Sequence, residues 1–190
     1  MIKAIFLAAG QSKRLKFENK LVKRYKKTPL INHSLKALHK SKVNKVIVVL
    51  GNQYKEVKKI ILKNKKNIFI YNKDYRKGMA SSIKVGLKKV ARNDKGFIIV
   101  QSDMPFIKKS DINKIYNSIK LKKFLVHVLK FKNKIGNPIG FDISLTKRFK
   151  KIKGEHGAKF MVKRLKNKTN FIKVNSSKVF KDFDLKKDFN

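Results

Sequence analysis

Cysteine does not occur in the chain. Its absence excludes a disulfide framework, a thiolate metal site and a thiol nucleophile. Long apolar runs are missing as well, none approaching the roughly 18 consecutive residues that a membrane helix needs. No charged region precedes the first apolar stretch and no small-residue cleavage pattern comes after it, so no signal peptide is expected. A soluble cytoplasmic protein without a membrane partner is the expectation. Two familiar phosphate-binding patterns are also absent: the Gly-x-x-x-x-Gly-Lys-Ser/Thr of a P-loop and the Gly-x-Gly-x-x-Gly of a dinucleotide fold. Acidic residues are scarce, 11 Asp and Glu against 51 Lys and Arg, for a formal net charge of +40.

Such a charge raises nucleic-acid binding. The cations are overwhelmingly Lys, which lacks the planar two-pronged donor of Arg, and they run from Lys3 to Lys187 without gathering in a tail. With Lys, Asn, Ile and Phe all abundant, the charge reads mainly as a compositional background. Nonspecific attraction to polyanions at low salt is expected, since it needs only charge. Where carboxylates are this rare, those at strand ends call for a reason.

At 190 residues the chain suits one domain with a sizeable core. Apolar runs and helical spacings alternate along it. Ile2–Ala8, Lys45–Leu50, Ile68–Tyr71 and Gly96–Gln101 read as strands. Ile31–Lys40, Gln53–Asn64, Met79–Ala91 and Lys109–Lys120 read as helices. Continuous apolar strands between helices imply a doubly wound, mostly parallel α/β sheet with helices on both faces and a ligand site beyond the carboxyl ends of the strands. The second half, from about residue 123, is less regular. Phe124–Phe131 reads as a strand with Phe124 in the core, Gly136-Asn137-Pro138 as a turn, Ile143–Phe149 and Ala158–Leu165 as short helices, and Phe171–Val174 as a late strand.

Three segments carry chemistry. The first strand runs into Leu7-Ala8-Ala9-Gly10-Gln11-Ser12-Lys13-Arg14, with Lys20 beyond. Small residues let backbone N–H groups approach an anion, and Gly can take φ > 0 where the chain turns. Arg14 and Lys20 supply positive charge. Ser102-Asp103-Met104-Pro105 comes directly after the strand ending at Gln101. A carboxylate there suits Mg²⁺, which takes oxygen ligands and keeps several waters; a capping Asp is the plainer alternative. Gly78-Met79-Ala80-Ser81-Ser82 opens a helix, where Ser81 or Ser82 can meet a base edge or a ribose, or merely cap the helix.

The first segment resembles the Leu-Ala-Ala-Gly-x-Ser-x-Arg…Lys signature of nucleotidyltransferases that bind a nucleoside triphosphate. Gly78 to Leu87 is similar to the Gly-Met-x-Ser-Ser-Leu-x-x-Gly of the molybdenum cofactor cytidylyltransferase group. The resemblance implies a Rossmann-like fold for the whole chain, with residues 1–122 as a nucleotide-binding half and 123–190 as an acceptor-side half. It implies Ser82 beside the nucleobase, Asp103 as a ligand of Mg²⁺ and, from Asp182-Phe183-Asp184, Asp184 as a second ligand. It sets Gly136, Asn137, Pro138 and Gly157 on the acceptor side. The chain departs from the pattern at Ser102, where Gly is usual, and at Leu15-Lys16, where Met-Gly is common.

In function the resemblance implies a Mg²⁺-dependent transfer of CMP from CTP to the terminal phosphate of molybdopterin, with Arg14, Lys20 and Asp103 as catalytic groups. An apo-hydroxylase of the xanthine dehydrogenase type would receive the product. Backbone N–H groups of Ala9 to Gln11 would hold the triphosphate. Alternatives are another acceptor (a sugar, polyol or choline phosphate), GTP as donor, or a basic nucleic-acid-binding module on an α/β scaffold.

Overall fold

The computed structural model describes residues 1–12, 19–155 and 157–189. Among them, nine strands and six helices succeed one another. β1 (Ile2–Ala8) leads to a short hairpin, β2 (Arg24–Tyr25) and β3 (Thr28–Pro29). Then come α1 (Leu30–Lys40), β4 (Lys45–Leu50), α2 (Tyr54–Ile60), β5 (Asn67–Tyr71), α3 (Met79–Leu87), β6 (Gly96–Gln101) and α4 (Lys109–Lys120). The second half adds β7 (Val126–Phe131), β8 (Lys134–Asp142), α5 (Thr146–Phe149), α6 (Ala158–Arg164) and β9 (Thr169–Lys173).

Seven strands form one sheet in the order β5-β4-β1-β6-β8-β7-β9, with β2 and β3 paired apart from it. Within the sheet β8 runs against its neighbours β6 and β7, and every other pairing is parallel. Strand alternation divides the core in two. From β1, Ile2, Ala4, Phe6 and Ala8 face a cluster completed by α1, α2 and α4. Ile5, Leu7 and Ala9 face the opposite cluster, completed by α3, α5 and α6. The expected doubly wound architecture is thus present.

The differences from expectation lie mostly in the second half. Gly136, Asn137 and Pro138 are not a turn but lie inside β8. Val128 of β7 faces Ile139 and Leu129 faces Gly136, so Asn137 and Pro138 are left over as a bulge. Proline has no N–H to give a ladder, and such a break is where a strand tolerates it. Phe124 lies outside β7 and is 38% exposed, so it is not a core residue. α2 and α3 end at Ile60 and Leu87, earlier than their periodicity suggests, and the β2–β3 hairpin was not foreseen. Its turn residues Lys26 and Lys27 both have positive φ, 46° and 63°, the geometry of a two-residue hairpin turn but without the usual Asn-Gly.

The scarce acids are put to use. Asp94, before β6, accepts from Lys3 Nζ at 2.8 Å in a buried pair and from the Ala91 N–H at 2.8 Å. Burial works against the ionised carboxyl of Asp94, but Lys3 and the Ala91 N–H outweigh it and hold its pKa below the ordinary value.

Candidate functional site

A cleft of about 360 Å³ opens at the carboxyl ends of β1 and β6. The chain goes from β1 to β4 and β5 on one side of the sheet and returns to β6 on the other. The cleft therefore sits at the topological switch point, where doubly wound sheets bind ligands.

One wall is the segment after β1. Leu7, Ala9, Gly10, Gln11 and Ser12 line the cleft, while Ala8 turns its side chain into the core. A Cβ on Gly10 would meet nothing within 4 Å, so the space beside it is free for a ligand. The left-handed residue of the segment is not Gly10 but Ser12, with φ 52°. Ser12 Oγ accepts from the backbone N–H of Lys20 at 3.1 Å, drawing the two ends of the loop together. Asn19 Oδ1 accepts from Leu21 N at 3.1 Å, a local turn that sets the direction of Lys20. Arg14, Leu15 and Lys16 lie outside the described residues.

At the base of the cleft Lys20 Nζ lies 2.6 Å from Asp103 Oδ2 and 2.6 Å from Asp184 Oδ1. Asp103 stands just past β6. Ser102 continues the β1–β6 junction by donating from its hydroxyl to the Leu7 carbonyl at 2.7 Å. Asp184 arrives from the tail: the Phe183 N–H donates to the Asp103 carbonyl at 3.0 Å, and the Asp184 N–H donates to Asp188 Oδ2 at 3.0 Å. The buried Phe183 ring packs edge-on against Tyr25 of the hairpin, with centroids 4.8 Å apart.

Burial would depress the Lys20 ammonium, but Asp103 and Asp184 outweigh it and its pKa stands above the ordinary lysine value. Asp103 also moves up, because burial of its carboxyl and the negative charge of Asp182 prevail over the attraction of Lys20. The two directions are compatible, since Lys20 faces two carboxylates while Asp103 has one cation. Asp103 Oδ1 is buried with no hydrogen-bond partner among the described residues. Such an oxygen, at the wall of a cleft, is suited to a cation. No group of three or more His, Cys, Asp or Glu side chains is placed to hold a metal among the described residues. Two carboxylates fit Mg²⁺ or Mn²⁺ completed by water and substrate oxygens; they do not fit a closed structural zinc site.

The opposite wall is the start of α3. Asn72, unforeseen in the sequence, donates to Ser81 Oγ at 2.8 Å and Ser82 Oγ at 3.0 Å. Ser82 faces the cleft. Ser81 does not; its hydroxyl is spent on the Gly78 and Asp74 carbonyls, at 2.8 and 2.9 Å. Gly154 and Glu155 dock on the same helix start: the Ala80 N–H donates to the Gly154 carbonyl at 3.0 Å and the Met79 N–H to Glu155 Oε2 at 3.3 Å. Gly78 has φ 92°, and a Cβ there would lie 2.6 Å from the Gly154 backbone. Gly157 abuts Met79, but neither it nor Gly136, Asn137 and Pro138 of β8 lines the cleft. Glu155, from a segment matched by resemblance, also lines it, as do Tyr75, Arg76 and Gln101, of which only Gln101, the last residue of a strand, carries a positional signal in the sequence.

A switch-point cleft with a small-residue loop, a lysine and two carboxylates defines a class of nucleotide-handling α/β domains. Residues 4–169 match the family model described as MobA-like NTP transferase domain, and the chain belongs to that family. It is 33% identical over 130 residues to the 2-C-methyl-D-erythritol 4-phosphate cytidylyltransferase of Lachnoclostridium phytofermentans, covering 64% of this chain and 53% of that protein. It is 31% identical over 117 residues to the bifunctional protein GlmU of Campylobacter fetus, covering 60% of this chain and 26% of GlmU. The chain thus spans about a quarter to a half of the length of these curated relatives. In fold it is similar to Rv0371c of Mycobacterium tuberculosis, with TM-score 0.86 and 20% identity over 99% of this chain and 95% of that one. The same protein in complex with manganese gives TM-score 0.81 and 18% identity over 99% and 95%.

Proposed function

We propose that the protein is a nucleotidyltransferase that joins a nucleoside monophosphate, from a nucleoside triphosphate, to the phosphate of a small acceptor. The observation that carries this is Lys20 held between Asp103 and Asp184 beneath the Ala9–Ser12 loop. An acceptor phosphate oxygen attacks the α-phosphorus, the bond from that phosphorus to the bridging oxygen of the β-phosphate breaks, and pyrophosphate leaves. A phosphate nucleophile is already ionised and needs no general base. Catalysis is then positioning and charge neutralisation.

Backbone N–H groups of Ala9 to Gln11 would hold the triphosphate, Lys20 would neutralise charge developing at the α-phosphate, and Arg14, by family resemblance, the distal phosphates. Asp103 and Asp184 would hold Mg²⁺, which neutralises phosphate oxygens when bound. Ser82 is the hydroxyl presented on the nucleobase side.

In finer detail, the reading is CMP transfer from CTP to molybdopterin. Ala8-Ala9-Gly10 and the Gly78–Leu87 segment support it through their resemblance to the cytidylyl enzymes. A second reading keeps CTP but uses a polyol phosphate, and is favoured by the 33% identity to a methylerythritol phosphate cytidylyltransferase. The test is pyrophosphate release with each triphosphate in turn, with and without molybdopterin, for wild type and Asp103→Ala. Release requiring CTP and molybdopterin, and lost in the variant, supports the first reading. CTP binding without turnover on molybdopterin favours another acceptor. No triphosphate binding at all overturns the enzyme reading.

A further inference from the structure

Lys20 is both the cation of the site and its obstacle. Its Nζ touches one oxygen of each carboxylate at 2.6 Å. A divalent ion bridging the same oxygens would need metal–oxygen distances of roughly 2.0–2.2 Å, and so would claim the place where the ammonium stands. Both cations cannot share that place, because each would lose its partners and repel the other.

The lysine cannot leave cheaply. Its side chain is only 14% exposed, and its backbone is fixed by Ser12 Oγ at 3.1 Å. A half-buried ammonium removed from its carboxylates needs a new anion. A free divalent ion brings none. A metal–triphosphate complex brings several phosphate oxygens on the side of the Ala9–Ser12 loop.

We propose that Lys20 is the resident counter-ion of the Asp103–Asp184 pair, excluding free divalent metal from the nucleotide-free protein and yielding its place only when metal arrives together with a triphosphate. This rests on the nucleotidyltransferase reading above and adds to it an order of events: metal and nucleotide enter together, and Lys20 moves from carboxylates to phosphate as they do.

The test is Mn²⁺ binding by the full chain, read from the electron paramagnetic resonance of the remaining free ion. It is run without nucleotide and with a non-hydrolysable triphosphate, for wild type, Lys20→Met, Lys20→Gln and Asp103→Asn. Without nucleotide, both Lys20 variants should bind Mn²⁺ at least about tenfold more tightly than wild type, the scale of one close charge pair. Their unfolding temperatures should rise more on adding Mn²⁺. Using two variants guards against one failing to fold, and an unfolding transition in the absence of metal confirms that each is native. Equal or weaker Mn²⁺ binding by the Lys20 variants, while the Asp103→Asn variant still binds the metal–triphosphate more weakly than wild type does, overturns the proposal and leaves the nucleotidyltransferase reading standing. Metal–triphosphate binding indifferent to Asp103→Asn removes the metal site itself, and the proposal with it.

Discussion

His127 shows how a polar residue far from the cleft is tolerated in the core. It lies fully buried on β7, and its Nδ1 is 2.7 Å from Ser118 Oγ; that oxygen accepts from Asn170 Nδ2 at 2.8 Å. Burial pushes its pKa down to about 4, against the pull of Asp142 and the Phe124 backbone, so the ring is neutral at pH 7. An unfolded histidine titrates near 6.5. Between those values the unfolded chain takes up a proton that the native chain refuses. The contribution of His127 is therefore complete above pH 6.5 and is lost as pH falls through 4, amounting to about 3 kcal/mol over the window. Urea unfolding of wild type and His127→Gln at pH 8, 6, 5 and 4 isolates this effect. The variant should start less stable and lose less on acidification, so the gap between the two closes. Parallel losses would show that the ring is not held neutral. No composition or spacing announces this residue, because its state depends on Ser118 and Asn170, brought to it from α4 and β9 by the sheet.

At the scale of elements, the tail after β9 positions Asp184, the proposed second metal ligand, with little regular structure of its own. Phe183 is its anchor, 1% exposed and ringed by Tyr25, Phe106 and Phe189. Phe183→Ala should cost about 3–5 kcal/mol of stability, as burial of a large ring is lost and a cavity opens. Because Asp184 is the next residue, pyrophosphate release should fall about as far as in Asp184→Ala, while Phe183→Leu should keep most of both. Full activity in a destabilised Phe183→Ala would separate the anchor from the site. The Asp182-Phe183-Asp184 segment could be matched by resemblance, but its anchoring could not be foreseen, since Tyr25 belongs to the unforeseen hairpin. β1, β4, β6 and α4 were legible to the residue because each carries an unbroken apolar run or a strong helical period. β8 was not, because Gly136-Asn137-Pro138 has the composition of a turn and only its two neighbouring strands make it a bulge. In the cleft, Asp103 and Lys20 were legible from position and pattern, whereas Asn72 acquires its place only from contacts with α3.

At the scale of the whole molecule, a net charge of +40 surrounds a cleft whose own base carries two carboxylates. No helix among the described residues is long and apolar enough to cross a membrane. The general positive field attracts any polyanion, but it acts between exposed charges and is screened beyond about 8 Å at physiological ionic strength. Phe6 and Phe97 are fully buried and offer no stacking surface, whereas Tyr71, Phe69 and Phe124 are 50%, 39% and 38% exposed. Binding to heparin or single-stranded DNA should therefore fall by orders of magnitude between about 50 and 300 mM salt, driven by the release of counterions. Triphosphate binding at the proposed site should fall far less, because the cleft carries a largely buried lysine, Lys20, rather than an exposed one. Fluorescence anisotropy of a labelled oligonucleotide and of a labelled triphosphate, titrated across that salt range, gives two slopes from one sample. A shallow slope for the triphosphate and a steep one for the oligonucleotide assigns the surface charge to a background field. Equal slopes would mean that the triphosphate too is held by surface lysines, and the cleft would lose its claim to be the site.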